Sequence, residues 1–387
     1  MQLSSRGRTA SMLTALLVSL CVAHDARADE TTGTWTGAVA VQGNYYWETS
    51  TRVVAPELRI ELSSPDGTDI HAEYLVDSIT SASIAAGVVE DIRFTETRHQ
   101  VSVGVGRELD FDDAQLRLDL STRVSHEPDY LASSVTLAGM LSLAQRCTLL
   151  GASLTYIHDN VGAVIRGGQP RVGDDGRDLS DRGRVGELEG VTVGLSLSQI
   201  LTPTLIASAG YDLVHNWGFL QNPYRGVMIN GILRPEGHPD ERTRHSAYGR
   251  VALFVPETRT AFHVLYRFYL DGWDVAAITP EGRIYQELGD AITLRFRYRY
   301  YQQTRSFFAR MPDQYNSDDP FVTNDPKMEA FESHLVGVHA RVAMSFLDQT
   351  FLSFANEGEV WFSFDSWFQT SRFGNGVIAQ AGVRVPF

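Results

Sequence analysis

Arg295, Arg297 and Arg299 occupy every second position of a segment, 291–305, that reads A-I-T-L-R-F-R-Y-R-Y-Y-Q-Q-T-R. Guanidinium groups at a spacing of two point the same way only on an extended strand; a helix would scatter them. A row of fixed cations on one wall of a confined space supports two kinds of chemistry. Left unpaired, it attracts and selects ions in a pore. Matched with carboxylates, it becomes an ion-pair network that fills the space. Arg250 and Arg267 on the two preceding segments fall on the same face by parity, as do Glu281, Arg283, His339 and Arg341 on the immediate neighbours. Glu57, Arg59, Glu61, Glu73, Arg117 and Asp119 are further candidates for that face. Because an unpaired row of arginines repels itself, pairing with Glu57, Glu61, Glu73, Asp119, Glu357 and Glu359 is the favoured arrangement.

The other face of the segment is Ile292, Leu294, Phe296, Tyr298 and Tyr300. In a water-soluble sheet that side is buried and the arginines meet solvent. The rest of the chain points elsewhere, because the same alternation recurs in segments of about ten residues separated by turn residues, the signature of a transmembrane β-barrel. Leu58, Ile60 and Leu62 oppose Glu57, Arg59 and Glu61. Ile70, Ala72, Tyr74 and Val76 oppose His71, Glu73 and Asp77, and Leu116, Leu118 and Leu120 oppose Arg117 and Asp119. Short connections are expected at 110–113, 143–146, 200–203, 256–259, 287–290 and 347–350, and long outer loops near 160–188, 216–243 and 304–331. The expected architecture is an all-β, up-and-down antiparallel barrel of about 16 strands, with lipid on the apolar side and a charged lumen on the other.

Composition agrees with a membrane location reached by export. Residues 1–28 read as a signal peptide: Arg6 and Arg8 precede an apolar core from Met12 to Ala23, and Ala26-Arg27-Ala28 supplies small residues for cleavage. Residues 29–387 then form a single domain with one texture and no linker. The mean hydropathy is −0.15, and beyond the leader no run approaches the ~20 apolar residues of a membrane helix. The net charge of −14, with a leader of net +2, leaves −16 on the chain from Asp29 and argues against a nucleic-acid partner. Lys327 is the one lysine, so the positive charge is almost entirely guanidinium, suited to pairing in confined space. Cys147 has no partner once Cys21 leaves with the leader.

No catalytic constellation, metal site or cofactor is expected. His158, His215, His238 and His245 are scattered, and zinc needs three or four convergent ligands. Ser246 beside His245, and Asp212 near His215, sit at opposite parities and so cannot act together. The last segment, 377–387, alternates and ends in Phe387. It resembles the C-terminal signal that the barrel-assembly machinery recognises in bacterial outer-membrane proteins.

Several further pieces carry a family resemblance: Asn222-Pro223-Tyr224-Arg225, Arg234-Pro235-Glu236, Pro239-Asp240-Glu241-Arg242-Thr243-Arg244-His245, Tyr266-Arg267-Phe268-Tyr269 with Gly272-Trp273, Tyr285-Gln286-Glu287-Leu288-Gly289-Asp290, Arg297-Tyr298-Arg299-Tyr300-Tyr301, and the stretch 74–83. Together they resemble an uncharacterised family of bacterial outer-membrane barrels known only as a domain of unknown function. The resemblance implies a barrel fold and a membrane, and brings no catalytic residue; with the leader and the terminal Phe387, the expected location is the outer membrane of a Gram-negative bacterium, with outer-membrane lipid and, through the C-terminal strand, the assembly machinery as partners. The leading functional expectation is a structural or pore-like barrel with a charged Arg/Glu lumen. The alternatives are an open porin for small solutes or anions, and a secreted all-β binding protein or outer-membrane hydrolase.

Overall fold

The computed structural model describes residues 34–49, 51–81, 94–127, 130–162, 184–222 and 225–387. The signal peptide expected at 1–28, and the greater part of the long loop expected near 160–188, lie outside the described residues. Sixteen strands build one closed ring: β1 (Thr36–Glu48), β2 (Thr51–Ser63), β3 (Thr68–Ser81), β4 (Phe94–Asp110), β5 (Ala114–Glu127), β6 (Tyr130–Leu143), β7 (Thr148–Gly162), β8 (Arg184–Thr202), β9 (Leu205–Gly218), β12 (Glu241–Val255), β13 (Thr260–Asp271), β14 (Ala276–Leu288), β15 (Ile292–Gln303), β16 (Phe331–Ala343), β17 (Glu359–Gln369) and β18 (Gly376–Pro386). Two short strands, β10 (Gly226–Ile229) and β11 (Ile232–Pro235), form a separate hairpin inside the β9–β12 connection.

Every neighbour in the ring is antiparallel, and β1 pairs with β18, so no strand edge is left open. Closure follows from composition: period-two strands whose apolar side chains are not buried by a second layer need another solvent, and lipid tolerates no unpaired backbone. With an even number of strands, the start of β1 and the end of β18 lie at one end, together with the connections at 64–67, 111–113, 144–147, 203–204, 256–259 and 289–291. We call this the turn end and the opposite one the cap end.

One expected turn is wrong. The β16–β17 connection at the turn end is not a short turn at 347–350 but runs over 344–358, with 3-10 turns at Ser345–Leu347 and Ser353–Ala355. Its apolar residues Phe346, Leu347, Phe351, Leu352 and Phe354 have no period of two, so neither strand can extend through them. At the cap end the long connections 219–240 and 304–330 share the rim with a tight turn at 272–275.

Candidate functional site

The registers decide which side chains share a face. Arg250 lies opposite Leu265, Leu265 opposite Glu281, Glu281 opposite Arg299, and Arg299 opposite Leu335. One step toward the turn end, His263, Arg283, Arg297, Gly337 and Asp365 make the next row, followed by Tyr285, Arg295, His339 and Ser363. Arg267 and Arg341 have the same parity. Followed around the ring, so do Glu57, Arg59, Glu61, Glu73, Arg117 and Asp119. This face is the enclosed one. It lines two cavities of about 680 and 330 Å³ that share Arg59 and Glu61. Phe262, Val264, Ile284, Phe296 and Val338 on the other face are exposed.

Pairing on the arginine wall is selective. Arg297 crosses the intervening strand to Asp365 in a bidentate pair with contacts of 2.7 Å. It passes over Gly337, where a Cβ would collide with Asp365 Oδ1, so glycine keeps the path open. Arg283 pairs with Glu281, and Arg341 with Glu359 at 3.5 Å. Arg250, Arg267, Arg295 and Arg299 make no ion pair among the described residues. Arg267 donates to Ser246 Oγ, Arg250 faces His263 at 3.5 Å, and Nε of Arg295 is buried without a hydrogen-bond partner.

The carboxylates expected to pair with this ladder mostly serve the far wall instead. Arg59 is shared between Glu73 at 2.8 Å and Glu57 at 3.3 Å, Arg117 between Asp69 and Asp119, and Glu61 accepts from Arg384 at 3.1 Å. Glu357 lies in the 344–358 connection, outside the strands. Of the six, Glu359 alone fills the expected role. The parity of a residue is local, but its partner two strands away is fixed by register and ring closure.

From mid-height to the cap end many inward side chains are covered, among them Glu48, Asp77, Asp159, Asn216, Asp271 and Asp365, while Arg123 and Arg267 are exposed there. Nearer the turn end Arg59, Arg250 and Arg341 are exposed. The lumen is therefore more crowded toward the cap end and more open toward the turn end.

The cap end carries a small folded unit of its own. Val227 and Ile229 of the β10–β11 hairpin bury against Tyr315 and Val322, and Gly237 bridges to Val322. Trp273, at the tip of the β13–β14 turn, packs with Phe308, Ala309 and Met328. Asp271 ties this unit to the barrel. Its fully buried carboxylate accepts from Arg242 Nε at 2.9 Å, Tyr269 Oη at 2.7 Å, and the backbone N–H groups of Trp273 and Val275. Arg242 also lies 4.2 Å over the Trp273 ring. Arg225 pairs with Asp325 at 2.6 Å, and Arg372 clasps Glu329 at 2.6 Å from the β17–β18 connection. His238 is wedged between Trp273 and Phe308, and burial pushes its imidazole down to about 4. Glu236, 3.6 Å from it, is pushed up by the same burial.

Sequence reasoning did not identify Asp271, Asp365, Asp69, Arg384 or the cap. A signal existed for the hairpin: Asn230-Gly231, flanked by apolar residues, is a type I′ turn sequence, and both residues have positive φ. Ser246 faces inward and His245 outward, and Asp212 and His215 likewise diverge. Among the described residues, no group of three or more His, Cys, Asp or Glu is placed to hold a metal.

On the outward face, tyrosine hydroxyls meet histidine Nδ1 atoms at Tyr74–His99, Tyr211–His245 and Tyr298–His334, at 2.6–2.9 Å. Such amphipathic rings suit the headgroup level. A closed antiparallel ring of this size, with aliphatic and aromatic side chains exposed outward and charges enclosed, is built as an outer-membrane barrel.

The family described as "Protein of unknown function (DUF3570)" matches residues 90–357. None of the curated proteins matches the chain. Among solved structures, OprD of Pseudomonas aeruginosa is 9% identical, with a TM-score of 0.44 over 91% of this chain and 95% of that one. A bacterial polysaccharide outer membrane secretin is 8% identical, with a TM-score of 0.49 over 91% and 98%. A loop-deletion form of OmpT, an outer membrane protein of Vibrio cholerae, is 9% identical, with a TM-score of 0.41 over 92% and 99%.

Proposed function

This chain belongs to the DUF3570 family, and from that premise we propose that it is a water-filled but narrow outer-membrane passage for small hydrophilic solutes. The observation that carries the reading is the pair Arg250 and Arg267. Both guanidinium groups are exposed on the enclosed face and neither has a carboxylate partner among the described residues. A guanidinium without a counter-charge is tolerable only if hydrated. A barrel filled solely by an internal network would have paired them. The crowded inward side chains of the cap half restrict the passage, so the conductance is small.

In this reading the cap is extracellular and the turn end periplasmic, the usual disposition of long and short connections in such barrels. The terminal strand, whose Phe387 exchanges backbone hydrogen bonds of 2.8 Å with Gly37, is the segment the assembly machinery engages. A hydrolytic role is not favoured in this reading, because the pairs weighed for it among the described residues, Ser246 with His245 and Asp212 with His215, face opposite ways.

The test is single-channel recording of the refolded chain in a planar bilayer. Small discrete steps are expected, with Arg250→Gln/Arg267→Gln shifting the reversal potential in a salt gradient toward cations. A bilayer that stays silent, in a preparation shown by protease protection to be inserted, would refute the passage.

A further inference from the structure

The inward charges are sorted by sector. On β12–β15 the inward face carries eight arginines (242, 244, 250, 267, 283, 295, 297 and 299) against three carboxylates, Asp271, Glu281 and Glu287. Glu287 is in addition held by Arg259 of the neighbouring turn at 2.9 Å. On β2–β5 the described inward side chains reverse the balance: nine carboxylates (57, 61, 69, 73, 77, 108, 110, 119 and 127) against Arg59, Arg98, Arg117 and Arg123. In the ring order, β2–β5 stand diametrically opposite β12–β15.

The surplus on each wall also shows in the pairing. On the acid wall one arginine serves two carboxylates twice over: Arg59 with Glu57 and Glu73, and Arg117 with Asp69 and Asp119. On the basic wall Arg250, Arg267, Arg295 and Arg299 are left without ion pairs among the described residues. The sector between them on one side, β6–β9, is lined mainly by small neutral groups such as Ser134, Thr136, Ser153, Thr155, Thr192 and Ser196. On the other side β16, β17, β18 and β1 mix the two signs.

Two opposed walls of opposite surplus make a field directed across the lumen rather than along it. A net anion gains at the arginines what it loses at the carboxylates, and a net cation the reverse. A solute carrying both charges gains at both ends by turning its carboxylate or phosphate toward β12–β15 and its ammonium toward β2–β5. The anion selectivity that the arginine ladder alone suggests is therefore offset by the far wall. Resting on the passage proposed above, we infer that the lumen prefers small zwitterions, of the amino-acid or phospho-amine class, over mono-ions of the same size.

The inference is tested by swelling of proteoliposomes holding the full chain, with 4-aminobutyrate as the zwitterion, butyrate and butylammonium as mono-ions, and erythritol as the neutral solute. The zwitterion is expected to enter about fivefold faster than either mono-ion, the ratio given by about 1 kcal/mol for one charge pair in water. Arg250→Gln/Arg267→Gln, two exposed positions whose loss leaves no buried carboxylate unpaired, should abolish that advantage and leave erythritol entry unchanged. Glu57→Gln/Glu73→Gln should abolish it too, with butyrate now gaining on butylammonium. Equal entry of all four solutes, or a wild-type order set by net charge alone, would overturn the inference while leaving the passage standing. No entry of any solute, erythritol included, would overturn both.

Discussion

Asp271→Asn is the substitution from which most can be learned about how the cap is held. The native carboxylate has no exposed surface and is bonded by Arg242, Tyr269 and two backbone N–H groups, so every lone pair is used. Asparagine keeps the size and one acceptor oxygen, which can stay on the N–H groups of Trp273 and Val275. Its amide nitrogen then faces Arg242 and the Tyr269 hydroxyl, where two donors meet a third. Breaking a buried ion pair by removing one partner costs ~3–5 kcal/mol. The retained backbone bonds and the stacking of Arg242 on Trp273 place this case near the lower limit, about 3 kcal/mol. The control is three residues away. Asp274 is exposed and left-handed at φ 65, a conformation asparagine adopts readily, so Asp274→Asn should change stability by no more than ~0.5 kcal/mol. Reversible unfolding in lipid vesicles gives both numbers, and limited proteolysis within 219–240 reports whether the loss falls on the cap. If the two variants unfold together, or if Asp271→Asn destabilises the barrel while its cap stays protease-resistant, Asp271 is not the tie.

Four further outcomes are expected. Gly337→Ala drives a methyl group into Asp365 and should separate it from Arg297, costing ~3 kcal/mol or more in vesicle unfolding. Gly282→Ala, with open space around its Cβ, should be nearly neutral, and equal losses would discount the path over Gly337. Phe296→Arg places a charge in lipid and should cost ~2–4 kcal/mol near the midplane, against much less for the inward-facing Thr293→Arg. A larger loss at Thr293 would invert the faces. For the cap, His238 has its pKa lowered to about 4, so the loosened loop binds a proton the packed one excludes, and cap stability should fall as pH drops from ~6.5 toward 4, by at most about 3 kcal/mol. Glu236, shifted up, acts the other way: its share is lost as pH rises above the ordinary carboxylate value of 4.5. Protease sensitivity of the cap against pH should therefore lose its acid limb in His238→Gln and keep it in Glu236→Gln. Finally, in a Cys147→Ser background, Ser317→Cys on the exposed cap surface should react with an impermeant maleimide on intact cells. Reaction only after lysis would put the cap in the periplasm.

The sequence made the faces legible and left the partners hidden, and the reason is physical. Period two is a property of ten consecutive residues, so the inward set from Glu57 to Arg341 could be named strand by strand. Arg297 and Asp365, by contrast, lie 68 positions apart and meet because β15, β16 and β17 take particular registers and because position 337 has no side chain. Neither fact is periodic. The 344–358 connection escaped for the opposite reason: its five apolar residues invite a strand, and only their broken alternation argues against one. The cap was half visible, since the family-like pieces Arg225, Glu236, Arg242 and Trp273 could be quoted one after another without any sign that they converge. Folding brings all four to one rim, where Arg242 and Trp273 share Asp271 and Arg225 pairs with Asp325.

That convergence bears on what the ladder is for. The motif residues of β15 and those of the cap sit on the same quarter of the ring, because 219–240 and 304–330 are the connections that flank β12–β15. In the proposed passage, a solute entering from the cap side thus meets its ordered roof above the wall with surplus arginine. If the cap were only a shield for the rim, it could stand over any sector. In the passage proposed above, its position over the positive one sets it at the entry-side boundary of the inferred cross-lumen field, so loosening it through Asp271→Asn should raise solute flux without altering the order in which zwitterion, anion and cation are admitted. A change in that order on loosening the cap would mean that selection lies in the cap and not in the two walls.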